Sequence, residues 1–210
     1  MLRWRPPRGR VLVLAPHPDD EALGCGGTLL LHRAQGDPVK AVFVTDGEAG
    51  DPRGLYRGRD YRALRRAEAR RAAQVLGVGA LEFWGLPDGA LAAAAGLRPR
   101  LARLLEEERP DIVYRPSPED PHPDHRALAR RFQEARGARR LLDCRYEVGF
   151  MLKPSAVVDI SGVSAAKARA VRQYRSQLRY GDYLGMTARL GLCRSLFLPG
   201  AEQAEAFQIA

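Results

Sequence analysis

The ordered pattern of the chain begins with an unbroken apolar run, Val11-Leu12-Val13-Leu14. A short continuous run of this kind reads as a strand buried on both faces, as in a parallel sheet. Glu21 to Gln35 has helical spacing and closes at Gly36-Asp37-Pro38, a glycine-then-proline stop. Val39 to Thr45 predicts a second strand. Asp46 to Asp60 is rich in Gly, Asp and Arg without any period. It is a loop, long for a compact domain, and such loops often serve as lids or binding loops. Tyr61 to Leu76 sets Leu64, Ala67, Ala72, Val75 and Leu76 on one side and arginines on the other, and Gly77 closes it. Ala80 to Trp84 predicts a third strand, followed by the turn Gly85-Leu86-Pro87-Asp88-Gly89. A helix fits Leu97 to Glu108, with Pro110 stopping it, and Asp111 to Tyr114 is a fourth strand. It runs into the proline-rich stretch RPSPEDPHPDHRAL and a helix from about Asp124 to Ala135. Beyond that, strands are expected near Cys144 to Phe150 and Ala156 to Ile160, then a helix over Ser164 to Leu178. The tail after Gly191 holds a short apolar piece, Ser195 to Leu198, and a last strand.

Strands alternating with helices predict an α/β chain. The expectation is one domain over residues 1–210, a Rossmann-like three-layer fold with a mostly parallel sheet. In such sheets ligands bind beyond the carboxyl ends of the strands, where the strand order reverses. The first and fourth strands are neighbours at that point.

Composition narrows the class. At 210 residues, 45% hydrophobic and 28% charged, the chain can bury one sizeable core. No stretch approaches the roughly 20 apolar residues that cross a bilayer. The basic start, Met1 to Pro7, is followed by an apolar run too short for a secretory leader. A cytoplasmic location without stable membrane insertion is expected. Cys25, Cys144 and Cys193 are far apart with no CxxC pair, which argues against a disulfide framework and a thiolate zinc site. The net charge is +9, and of the 34 basic residues only Lys40, Lys153 and Lys167 are lysine, while asparagine is absent. That bias reads as codon usage in a GC-rich genome as much as a binding surface. The arginines are scattered, with no interleaved nucleic-acid motif, so nucleic acid is not an expected partner.

The chemistry concentrates in two loops. LAPHPDDEALGCGG, residues 14–27, ends an apolar run in His17, Asp19, Asp20 and Glu21. His122 and His125 follow the fourth strand. His17 and Asp20 are three apart, as are His122 and His125, and residues so spaced share a face on an incipient helical turn. His17, Asp20 and His125 make a metal set of two imidazoles and a carboxylate, suited to Zn²⁺ with an open position. Fe²⁺ or another divalent metal accepts the same donors. Water in the open position becomes acidic enough to lose a proton near neutral pH. Asp19 is then a candidate base, and His122, on the other side, a candidate donor to an oxyanion or leaving amine. Asp124 is expected to hold His122 by its second nitrogen, or to cap its helix.

Other residues read as structural. His32 lies mid-helix with no acidic partner in view. Glu21 suits a helix start. The glycines of GCGG fit neither GxGxxG nor a P-loop, and are expected to let the helix pack close to the sheet. Arg53, Arg57 and Arg59 either hold an anionic group or are solvated.

APHPDDEALGCGG together with HPDHRAL resembles the PIG-L/LmbE-like metal-dependent de-N-acetylases, which remove acetyl from N-acetylglucosamine units. VTDGEAG (44–50), RRAEARRAAQVLG (65–77), GLPDG (85–89), YEV (146–148), YRSQ (174–177) and AEAF (204–207) look like the family's weaker motifs. The resemblance implies metal ligands at His17, Asp20 and His125, Asp19 as base and His122 as acid or stabiliser. It implies sugar contacts at Arg65, Asp88 and, more weakly, Glu48. The substrate would be a small amino sugar or glycoconjugate, cleaved to acetate and free amine. Two rivals stand beside it: a metal-dependent hydrolase of another amide or ester, and a Mg²⁺-dependent nucleotide-binding α/β protein. The histidines count against the second, because Mg²⁺ prefers oxygen donors. An exposed site rim and a short chain leave room for self-association.

Overall fold

The computed structural model describes residues 2–149 and 151–210. An eight-stranded sheet forms the middle layer. Its strands are β1 (Leu2–Arg3), β2 (Val11–Ala15), β3 (Val39–Thr45), β4 (Ala80–Leu86), β5 (Ile112–Pro116), β6 (Leu142–Tyr146), β7 (Ala156–Asp159) and β8 (Ala204–Ile209). The helices are α1 (Asp20–Gln35), α2 (Tyr61–Leu76), α3 (Leu97–Glu108), α4 (Pro123–Arg136), α5 (Ser164–Val171) and α6 (Tyr183–Ser195). Strand order is β1-β7-β8-β6-β5-β2-β3-β4, and among the described residues only the pairings of β8 are antiparallel.

The unbroken apolar strands behave as expected: every residue of β2 is buried. Its side chains alternate between two cores. Val11, Val13 and Ala15 join residues of α1, α2 and α5, whereas Leu12 and Leu14 join those of α3 and α4. This is the three-layer α/β arrangement, with a mostly parallel sheet. The chain moves outward through β2, β3 and β4, then returns to pair β5 on the other side of β2, with Val11 opposite Ile112. The order therefore reverses between β2 and β5, and the loops after these strands meet at the sheet's carboxyl edge.

The glycines of α1 serve close packing. A Cβ on Gly24 would stand 2.4 Å from the Tyr146 ring, and one on Gly27 2.8 Å from Ile160. At the outer border of the sheet, β4 places Phe83 on one core and Trp84 on the other. The guanidinium groups of Arg66 and Arg70 lie 5.8 and 5.1 Å from the Phe83 ring centre, and that of Arg100 lies 4.3 Å from Trp84.

The last third of the chain departs from the sequence reading. The helix expected over Ser164–Leu178 ends at Val171, and the chain turns there to deliver Tyr174, Ser176 and Gln177 to other elements. A helix that the pattern did not announce, α6, covers 183–195 and packs on β7 and β8. The Ser195–Leu198 piece is the end of that helix and its turn. The strand expected from Cys144 instead begins at Leu142 and ends at Tyr146. Its expected end, Phe150, lies outside the described residues.

Candidate active site

The loop after β2 turns sharply into α1. His17 sits in the turn and Asp20 is the first residue of the helix. The loop after β5 enters α4 with Pro123 in the first turn, where its missing N–H costs nothing. His122 caps this helix, its Nδ1 accepting from the Asp124 N–H at 3.2 Å, and His125 lies one turn in.

The two loops meet. Asp20 Oδ2 lies 3.2 Å from His17 Nδ1 and 3.2 Å from His125 Nε2. Donors about 2.0–2.2 Å from a tetrahedral ion stand roughly 3.3–3.6 Å apart, so each of these two pairs is close to the spacing of neighbouring ligands. Ring nitrogens of His17, His122 and His125 all fall within 4.8 Å of one another. The imidazoles of His17 and His125 each have a carboxylate at the nitrogen facing away from Asp20. Asp88 Oδ1 is 3.0 Å and Asp124 Oδ2 3.4 Å from His17 Nε2, and Asp120 Oδ2 is 3.0 Å from His125 Nδ1. Carboxylates so placed fix imidazole orientation in metal sites. The donor types and this carboxylate support suit a divalent ion.

Charge is unevenly distributed here. Burial disfavours a proton on His17 and His125, but the surrounding carboxylates outweigh it. His17 is raised well above its ordinary value and His125 to about 9. Burial also opposes ionisation of Asp20, yet His125 and His17 hold its carboxyl far below the usual range. Asp19 is pushed up to about 6 by burial, against the pull of Arg65, whose Nη2 is 3.2 Å from Asp19 Oδ2. Burial, then the charges of His17 and His125, lower His122.

Asp19, His122, Arg65 and Asp88 line one cavity of about 350 Å³ with His17, Asp20 and His125, within the ~300–1,000 Å³ typical of small-ligand sites. Arg65 leaves Nε and Nη1 without a partner. Glu48 is not brought in: it is exposed and pairs with Arg62, while its neighbours Ala49 and Gly50 line the cavity. Asp124 does not hold His122 by its side chain. Its carboxylate accepts from Gly89 N at 2.7 Å and Leu91 N at 3.0 Å and faces His17, so it ties the GLPDG turn to the first loop. His32 does have an acidic partner, Asp37 at 2.7 Å beyond the helix end, and its other nitrogen meets Tyr114 at 2.9 Å. It remains structural.

Sequence reasoning missed Asp120, although it stands inside the EDPHPDH stretch. It also missed Tyr183 and Met186, which bring α6 to the cavity wall.

Residues 12–136 match the family model described as PIG-L: GlcNAc-PI de-N-acetylase. The chain is 34% identical over 186 residues to the diacetylchitobiose deacetylase of Thermococcus kodakarensis, covering 80% of this chain and 70% of that protein. It is 32% identical over 136 residues to the 4-oxalmesaconate hydratase of Pseudomonas putida, covering 62% of this chain and 52% of that one. Among solved structures, N,N'-diacetylchitobiose deacetylase from Pyrococcus horikoshii aligns with a TM-score of 0.86 at 27% identity, over 96% of this chain and 83% of that chain.

Proposed function

Since the chain belongs to the GlcNAc-PI de-N-acetylase (PIG-L) family, we propose that it is a zinc-dependent hydrolase that removes the acetyl group from an N-acetylated amino sugar. The observation that carries this reading is Asp20 Oδ2 standing 3.2 Å from both His17 and His125, beside Asp19 and an open cavity. His17, Asp20 and His125 would hold the ion. Once bound there, a divalent cation supplies Lewis-acid polarisation of the acetamide carbonyl and lowers the pKa of water into the neutral range.

The chain's own residues do the rest. Asp19, ionised beside Arg65, accepts the proton of the attacking water. Burial, against the pull of Arg65, raises its affinity for a proton, which suits a group that takes one and passes it on. His122, lining the same cavity with its Nδ1 held by the Asp124 N–H, donates from its other ring nitrogen to the oxyanion, and the proton taken by Asp19 passes to the departing nitrogen. The free N–H groups of Arg65, with the Asp88 carboxylate, offer contacts to sugar hydroxyls. Bond for bond, the C–N amide bond breaks, water supplies the new C–O bond, and acetate and a free amine result. Three free cysteines fit a reducing cytoplasm, where we place the enzyme.

Acetate and free amine, measured on a panel of N-acetylglucosamine conjugates, are expected in equal amounts with zinc-loaded protein. Asp19→Ala should retain stoichiometric zinc and lose about 10²–10⁴ in rate, the range for a general base. A wild-type rate in that variant rules Asp19 out as base. The hydratase relative motivates one control: hydration of 4-oxalmesaconate with no acetate release across the panel would overturn the deacetylase reading.

A further inference from the structure

Glu21 and Tyr174 are buried polar residues that the chemistry above leaves unused, and Tyr174 opens the YRSQ stretch. We propose that Tyr174, acting through Glu21, is a positioning residue for Asp19, fixing the peptide unit that aims its carboxylate into the cavity. This rests on Asp19 being the proton acceptor.

Asp19 has φ 140° and ψ −27°, and among the described residues only Arg109 is another non-glycine at positive φ. Such a backbone is strained for an L residue and persists only where its surroundings over-determine it. Here they do. The peptide joining Pro18 to Asp19 is gripped at both polar ends. Arg65, from α2, donates to the Pro18 carbonyl. The Asp19 N–H donates to Glu21 Oε2 at 3.2 Å. Glu21 has one other oxygen, and that oxygen accepts from the Tyr174 hydroxyl. Both side chains are almost fully buried, at 1% and 2% exposure, so no bulk water substitutes for either contact.

Tyr174 is itself anchored. Its N–H donates to Val171 O at 3.1 Å in the turn that ends α5. Two residues on, Ser176 donates its N–H and hydroxyl to Glu68 at 2.8 and 2.6 Å. Glu68 lies on α2, one turn from Arg65. One short segment thus backs both grips on the same peptide. Without the phenol hydroxyl, Glu21 Oε1 loses its buried partner, and the carboxyl group is free to turn off the Asp19 N–H. The peptide then relaxes towards ordinary φ and carries the Asp19 carboxylate away from its aim.

The test uses zinc-loaded enzyme, with metal content and steady-state kinetics measured on each variant. Tyr174→Phe is expected to keep stoichiometric zinc and its KM while kcat falls about tenfold, as misaiming a reacting group does. Glu21→Ala should fall further. Glu21→Gln should recover most of kcat, because its amide oxygen still accepts from Asp19 and its NH₂ donates to the phenol oxygen. In an Asp19→Ala background, Tyr174→Phe should change the residual rate less than about twofold, since residues acting as a unit are non-additive. Wild-type kcat in Tyr174→Phe, or an equal loss in both backgrounds, overturns the proposal. If Tyr174→Phe does not fold, equal rates in Glu21→Ala and Glu21→Gln overturn it. Full activity of Asp19→Ala alone instead removes the assignment of the base.

Discussion

The positive φ of Asp19 separates backbone strain from side-chain chemistry. Asp19→Gly and Asp19→Ala both delete the carboxylate and its contact with Arg65, but only glycine is at ease with this backbone. Asp19→Gly is therefore expected to be the more stable of the two by about 1–2 kcal/mol, after allowing for glycine's extra freedom in the unfolded chain. Thermal melts of the two proteins check this, and coincident curves would mean that the turn carries no strain. At this scale the gathering of His17, Asp20, His122 and His125 was legible, because they fall in short motifs whose spacing puts them on shared faces. Their supports were not. Asp124 is two residues from His122, and residues two apart at a helix start point different ways, so its carboxylate turns to His17 and the GLPDG turn instead. Asp120 pairs with His125 through loop geometry that no spacing rule encodes.

Among the elements, α1 has the least tolerance. Gly24 faces the Tyr146 ring so closely that a methyl would stand 2.4 Å from it. Tyr146 cannot swing away freely, since it is fully buried and its hydroxyl donates to the Leu14 carbonyl at 3.0 Å. Gly24→Ala should cost about 1–3 kcal/mol, as overpacking does, readable as a lower denaturation midpoint. An unchanged midpoint would show that helix and strand can separate without loss. The sequence announced this helix and the four strands around the site because their short apolar-rich stretches are bounded by Gly and Pro. It misjudged the end of α5 and missed α6 for opposite reasons. Helical spacing continues past Val171, but Tyr174 and Ser176 find partners on Glu21 and Glu68, and those contacts bend the chain. Helix α6 carries Gly185, Thr187 and Gly191, residues of low helix propensity, and is held by packing on β8 rather than by its own pattern.

For the molecule as a whole, the site couples stability to pH and metal. In the metal-free chain, burial opposes the His125 proton but Asp20 and Asp120 hold its pKa at about 9. That stabilisation is complete below the ordinary histidine value near ~6.5 and is lost as pH rises through about 9. Burial lifts Asp19 to about 6 and Glu21 to about 8, so their neutral forms favour the fold. Their contributions also disappear as pH rises through those values. All three slopes have one sign, but Asp19's ends by about pH 6, so His125 and Glu21 make the metal-free protein melt progressively lower from about pH 6.5 to 9. Zinc takes the place of the imidazole protons, so the loaded protein should lose much less across that window. Melting curves with chelator and with zinc decide it, and parallel pH dependences would contradict the shared-ion reading.

The outer border of the sheet has a consequence of its own. Strand β4 is the last in the order, so among the described residues one side of its backbone has no neighbouring strand. Its two aromatic rings, Phe83 and Trp84, are roofed by Arg66, Arg70 and Arg100. A second sheet approaching that rim would bring its own row of cations against these guanidinium groups, and like charges repel edge-to-edge joining. Part of the arginine excess thus stands where it opposes edge-to-edge joining of sheets.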